Sequence, residues 1–416
     1  MTKRFLVISS IALAIIIATV TTIIVICVNN RDTYTEDDGT FVATPATTER
    51  LYEILEENDS QRLKIDFSKI DVYSDVAISD KTNREVLILN GGGLYFEEFS
   101  IVTNAKNLVI TNLSVKNANN EVLVMNGSYV TLSVKSCFFD VEKEASAVRI
   151  DSEKCILALE DTSKFYGGDG EPTQNGASGL VANELTINVD ENAFGTLYIH
   201  GGKAGIGIDG QDGKDGYSYS PSTQHASWGS GRDGSSGGNG TDATKAFTAG
   251  QGGDALVCDQ LTVCYNVVLK CYGGGANKSG DGAHGGDGGC GEGASTGHPV
   301  PIKSYDGGRG GDAGDGSDGG DEIRPGAGIN ADTIIVYSSS SVTSKRGERG
   351  TAGVAGRSGV PGSGGWGSES SMTNWHGPKQ ASSGSRGADG KDGRTLDDNE
   401  IFDYIINKIN GDINID

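Results

Sequence analysis

Proline is scarce in this chain, 8 residues among 416, although glycine is abundant at 64. That imbalance argues against a collagen triple helix, which needs long unbroken Gly-X-Y runs rich in proline. Aromatic residues make up 7% and hydrophobic residues 36%, thin material for the cores of the two or three ordinary domains the length allows. Positive charge is also short. The 34 Lys and Arg face 56 Asp and Glu, a net charge of −22, and that excludes nucleic acid, whose phosphates would be repelled. Cations and cationic surfaces are the electrostatic partners that remain, and solubility alone also accounts for such a charge.

Catalytic signatures are missing too. No G-x-x-x-x-G-K-[ST] occurs, and Gly205 to Gly210 fits G-x-G-x-x-G without the helix that dinucleotide binding requires. The G-x-S-x-G strings at Gly234 and Gly293 lie in Gly- and Ser-rich loops with no strand-turn-helix setting. The five histidines show no H-x-x-x-H spacing, which removes the commonest zinc-hydrolase arrangement. There is no C-x-x-C among Cys137, Cys155, Cys258, Cys264, Cys271 and Cys290. Their even number in an exported chain permits disulfides, and buried free thiols are the competing reading.

Only one long apolar run is present, Phe5 to Val28, preceded by Lys3 and Arg4 and followed by the acidic Asp32, Glu36, Asp37 and Asp38. As a helix it is long enough to cross a hydrocarbon core of about 30 Å. The positive flank places residues 1–4 in the cytosol and the bulk outside. Ile26 and Val28 stand where a signal peptide would carry small residues, so an uncleaved single-pass membrane anchor over 5–28 is expected.

What the chain has in quantity is a recurrence. Short apolar stretches begin at Glu85, Asn107, Tyr129, Lys154, Glu184 and Gln260, at steps of 22, 22, 25, 30 and 76, and a step of 73 links Cys258 to Ala331. A strand that returns about every 22 residues describes one turn of a coiling chain, and the long steps are the same coil carrying an insertion. In this alignment Val86, Leu108, Val130, Cys155 and Leu185 face inward. Turn residues align as well: Asn104 with Asn126 and Asp151, and Asn90 with Asn112, as in stacked asparagine ladders. On this periodicity residues 60 to 200 resemble the right-handed parallel β-helix of the pectin-lyase-like superfamily. The resemblance implies an all-β, right-handed parallel β-solenoid. The "NTD", "GHG", "RIK", "WIDH" and "RxPxxR" strings of its enzymes are absent, so no catalytic residue is carried over.

The insertions are glycine loop, with 52 of the 64 glycines between Gly201 and Gly393. Several carry glycine at every third place, the longest at 347, 350, 353, 356, 359, 362 and 365, the period of a polyproline II helix. In composition and period they resemble the packed polyproline II segments of phage tail-tip adhesins and springtail antifreeze proteins; flexible disorder is the alternative. The organisation expected is therefore a spacer over 29–45, a capping helix and regular coils over 46–200, coils with glycine-rich insertions over 201–395, and a C-terminal capping helix over 396–416 with Ile401, Ile405 and Ile409 in a stripe.

The one metal these loops suit is calcium. Gly237 opens a G-G-x-G-x-D frame ending at Asp242, and Gly307 opens another ending at Asp312, which makes those aspartates the candidate ligands. The functional expectation is a membrane-anchored extracellular recognition or adhesion protein whose partner is a surface glycan or a protein. A polysaccharide lyase or hydrolase and a structural surface coat are the alternatives, and self-association is left open.

Overall fold

The computed structural model describes residues 32–70, 78–80, 82–97, 100–190, 193–219, 224–225, 232–296, 306–337, 339–366, 380–396, 409–410 and 413–415. The apolar run 5–28 lies outside them; among the described residues no helix is long and apolar enough to cross a membrane.

The chain is built mostly of sheet. Twenty-three strands form one continuous network, and its strand pairings are parallel except for Thr33–Thr35 against Phe41–Ala43. Each strand pairs with the one that precedes it by one recurrence: Arg62–Asp66 with Val86–Asn90, that with Asn107–Thr111, then Tyr129–Lys135, Lys154–Tyr166, Glu184–Val189, Leu256–Val263 and Ile329–Val336. A second ladder runs through Ser114–Asn117, Phe138–Val141, the end of Lys154–Tyr166, Gly195–His200, Val267–Tyr272 and Ser341–Lys345.

Alternation along each strand sends every second side chain inward. One resulting column is Leu63, Leu87, Leu108, Leu132, Leu157, Ile187 and Val263, all fully buried. In the second ladder Phe139 and Phe165 stack at 5.1 Å. Each such side chain contributes roughly 1.5–3 kcal/mol by leaving water, so many thin layers together do what a single core does elsewhere.

The register corrects the expected alignment. Asn107 sits opposite Val86 and Leu108 opposite Leu87, one residue from the alignment that matched Glu85 to Asn107. A slip of one exchanges the faces of a strand, and Val86 is accordingly half-buried while Leu87 is fully buried. Leu108, Val130, Cys155 and Leu185 do face inward, but Leu108 stacks on Leu132 and not on Val130. The Asn126 amide donates to Asn104 Oδ1 at 3.3 Å, as expected. Asn90, in contrast, meets Thr111, while Asn112 takes a turn conformation with φ of 54°.

Two further segments differ from expectation. The stretch read as a spacer contains Phe41–Ala43, which pairs in parallel with Arg62–Asp66 and buries Val42 and Ala43; three apolar residues suffice where a neighbouring strand edge is available. At the other end Ile409–Asn410 and Ile413–Ile415 are strands paired onto Ile329–Val336 and Ser341–Lys345. Ile409 therefore belongs to a strand and not to the expected helix, because the edge of Ile329–Val336 offers its backbone a parallel partner; the rest of the helical stripe, Ile401 to Ile406, lies outside the described residues.

The expected N-terminal helix is present as α1, Thr48–Glu57, with the Thr47 hydroxyl accepting from the Arg50 N–H at 3.2 Å. Its Leu51, Ile54 and Leu55 are buried against the first strands. Arg84, fully buried, ties the helix end to the sheet: it is paired with Asp80 at 3.0 Å and donates to the carbonyls of Asn58 and Ser60.

If this register is right, Leu132→Asp will place an unpaired charge inside and lower stability by roughly 3 kcal/mol or more, whereas Thr131→Asp on the outer face will cost under about 1 kcal/mol. Equal shifts in denaturation midpoint for the two variants would contradict the assigned face.

Candidate functional site

Three long insertions leave the ladders, between His200 and Leu256, between Tyr272 and Ile329, and from Lys345 onward. A short excursion, Gly167–Gly179, already precedes residue 201 and packs beneath the first of them, with Gly170 donating to the Lys203 carbonyl at 2.8 Å. Within the described parts the insertions contain one short parallel strand pair, Gln224–His225 with Ser295–Thr296, and otherwise neither helix nor strand, yet they are tied together by hydrogen bonds.

The tie is a two-point clamp that repeats with the glycine period. The Asp209 carboxylate accepts from the N–H of Asp281 at 2.7 Å, and the next residue, Gly210, donates to the Asp281 carbonyl at 2.9 Å. Asp212 with Gly213 holds His284 in the same way, and Asp215 with Gly216 holds Asp287. One layer further, Asp281 with Gly282 holds Val354, His284 Nδ1 with Gly285 holds Arg357, and Asp287 with Gly288 holds Val360. Each pair satisfies both backbone polar groups of the residue it holds, which an irregular buried loop would otherwise leave costly and unpaired.

Glycine is required here by contact. A Cβ on Gly353 would run into the Gly280 carbonyl, and one on Gly356 into that of Ala283. Gly353, Gly356, Gly359 and Gly362 donate in turn to the carbonyls of Gly320, Ser317, Gly314 and Gly311 on the returning stretch, at 2.8 to 3.0 Å.

Asp242 and Asp312, the candidate calcium ligands, are members of this clamp on the returning stretches. Asp242 accepts from the Asp315 N–H at 2.9 Å; Asp312 accepts from the Ser385 N–H at 2.7 Å and pairs with Arg309 at 2.9 Å. Among the described residues no three metal-ligating side chains converge. The G-G-x-G-x-D frame is thus satisfied by backbone N–H groups, since an aspartate before a small residue serves the clamp equally well.

Two of the clamp aspartates, Asp281 and Asp312, are held below the usual carboxylate range. Lys278, at 2.6 Å, and the Val354 N–H lower the pKa of Asp281, and the Ser385 N–H lowers that of Asp312. The six cysteines among the described residues are free thiols; burial pushes Cys155 and Cys258 up to about 12.

A second feature escaped the sequence reading. From Thr162 onward, the outward positions of the second ladder on Lys154–Tyr166, Gly195–His200, Val267–Tyr272 and Ser341–Lys345 carry no Asp or Glu. They carry rings and lysines. The Tyr166 ring meets His200 edge to face at 4.5 Å and His200 stacks on Tyr272 at 4.8 Å, and beside them Lys164 and Lys270 lie over the Tyr198 ring at 5.9 and 5.0 Å. Burial and the neighbouring Lys164 lower the pKa of His200, which favours its neutral form. Its members lie far apart in sequence, so only the ladder register could have revealed the grid.

The cleft lined by Thr111, Ser133, Lys135, Glu160 and Asp190 holds only about 100 Å³, well under the volume of ordinary ligand pockets. No family model, curated protein or solved structure matches this chain.

Two outcomes test the layer. Gly353→Ala will loosen the insertions, read as faster amide exchange over 347–366, whereas Val354→Ala, at a position 57% exposed, will leave exchange unchanged. Acid will do the same as the glycine substitution. Asp281 and Asp312 have folded pKa values below the unfolded value of about 3.9, so their contribution is complete above that value and is lost as pH falls through the lower folded ones. Amides of the insertions should therefore lose protection below about pH 3.9 before those of Tyr129–Lys135 do; simultaneous loss would count against a carboxylate clamp.

Proposed function

We propose that this chain is a membrane-anchored extracellular recognition or adhesion protein. In this reading its parallel ladders are the coils of a right-handed β-solenoid, and residues 5–28 are an uncleaved anchor that leaves the bulk outside the cell. The insertions are polyproline II segments packed side by side, displayed by the solenoid as a broad platform.

The observation that carries the reading is the clamp. Function in repeat folds commonly resides in the loops that a rigid scaffold presents, and here the loops are themselves held by paired hydrogen bonds from one insertion to the next. A rigid platform binds without the ordering cost that a flexible fringe would incur. Charge fits the setting as well, because a net −22 keeps such surfaces soluble and apart.

The test has two parts. The protein should fractionate with membranes, resist carbonate extraction and be digestible from outside intact cells; a soluble mature chain beginning near residue 29 would sink the anchor. Gly353→Val should reduce binding of the protein to target cells by tenfold or more while circular dichroism of the sheet is retained, and Ala355→Val should not. Full binding by Gly353→Val would remove the insertions from the recognition surface.

A further inference from the structure

One clamp differs from its neighbours in chemistry. Aspartate is the usual acceptor, with Asn239 and Ser218 in the same role elsewhere in the rows. Between the second and third insertions, at the middle of the three held residues Val354, Arg357 and Val360, the acceptor is an imidazole: His284 Nδ1 receives the Arg357 N–H at 2.9 Å. A carboxylate accepts through either oxygen. An imidazole accepts only while neutral, and only at the nitrogen that carries no hydrogen, so this bond places the hydrogen on Nε2. The imidazolium has two donors and no acceptor.

The charged neighbours decide where a protonated ring would go. His284 is exposed to solvent, and its own N–H is held from the first insertion by Asp212 at 2.8 Å. Asp281 and Asp287 flank it three residues away on either side, and Asp281 is paired with Lys278 at 2.6 Å. The cationic Arg357 stands on the third insertion. Carboxylates below and beside the ring attract an imidazolium, while the Arg357 N–H and guanidinium repel it. Both effects move the ring out of the clamp.

We infer that His284 is a pH-sensitive latch between the second and third insertions, closed while its imidazole is neutral and opened when a proton takes the lone pair that Arg357 uses. The proton passes from solvent to Nδ1, no covalent bond of the chain changes, and the Arg357 N–H turns to water. Opening is local. The Gly285 N–H still donates to the Arg357 carbonyl at 2.8 Å, and Asp281 and Asp287 still hold Val354 and Val360 on either side. Histidine is the side-chain type whose charge changes under mildly acid conditions, whereas aspartate as a class stays ionised down to about pH 3.9. The latch therefore opens in a window where the aspartate clamps are closed. This inference goes beyond the recognition reading and does not depend on it, because its readout is the hold between two insertions and not binding to a cell.

Full-length protein is followed by hydrogen exchange at single-amide resolution between about pH 8 and about pH 5, each rate being corrected for its intrinsic dependence on pH. Protection of the Arg357 amide should fall at least tenfold toward the acid end, and that of Val354 and Val360 by less than about twofold. His284→Asn keeps a neutral acceptor of the kind that Asn239 supplies to the Asp312 N–H at 3.0 Å, and should hold Arg357 equally at both ends. His284→Leu should leave Arg357 unprotected at both, with unchanged circular dichroism. Constant protection of Arg357 in the unaltered chain would overturn the latch, as would an equal fall at Val354 and Val360. So would an acid-dependent fall that persists in His284→Asn, or full protection in His284→Leu. The platform reading is scored separately, by cell binding of Gly353→Val, and its failure would leave the exchange result at Arg357 standing.

Discussion

The architecture depends on one equality of lengths. In the sheet, Gln260 pairs with Thr333; in the insertions, Asp281 holds Val354 and Asp242 holds Asp315, each across 73 residues. Ladder and layer therefore share a step, and the strands deliver each insertion to its neighbour already in register. Glycine then lets the backbones close to hydrogen-bonding distance, and the aspartate before it completes the clamp. Between the first two insertions the step is 72 on the outward stretch, as in Asp209 to Asp281, and 73 on the returning one, as in Asp242 to Asp315, and both rows of clamps stay in register because the extra residue falls between Cys290 and Asp306.

This arrangement also explains the composition. A surplus of acid is usually a property of a solvated surface, yet here many aspartates are the hydrogen-bond acceptors of a loop layer whose amides are, outside one short strand pair, not satisfied by helix or sheet. Columns such as Asp215 and Asp287 stack like charge on like charge. The repulsion is tolerable because the groups are exposed and screened, and each carboxylate accepts a backbone N–H. Solubility follows from the clamp and needs no separate cause.

What the sequence made legible followed from alternation. "YVTLS" alternates apolar and polar residues, and its inward face was read correctly. "VLIL" at Val86 to Leu89 is apolar throughout, so nothing in it distinguishes one face from the other, and the alignment slipped by a residue there. Phe41–Ala43 is too short to show any period. The aspartates at 242 and 312 were noticed for a good local reason, a known calcium frame, but their partners lie 73 residues away and no local motif specifies them. The same holds for the ring and lysine grid, whose columns exist only once the register is known.

The last insertion shows how such a ladder ends. An open row of clamps would invite another chain to continue it, as an open strand edge does. In the third insertion the held residues include Val354, Arg357 and Val360, and on the return Ala388, Lys391 and Arg394. None of these side chains can accept a backbone N–H. Asp389 and Asp392 of the return accept from the Ser358 and Ala355 N–H groups of the same insertion. The two stretches of the final layer are thereby tied to each other, and at most of the held positions valine, alanine, arginine or lysine stands where the earlier layers carry an acceptor, Ser385 excepted.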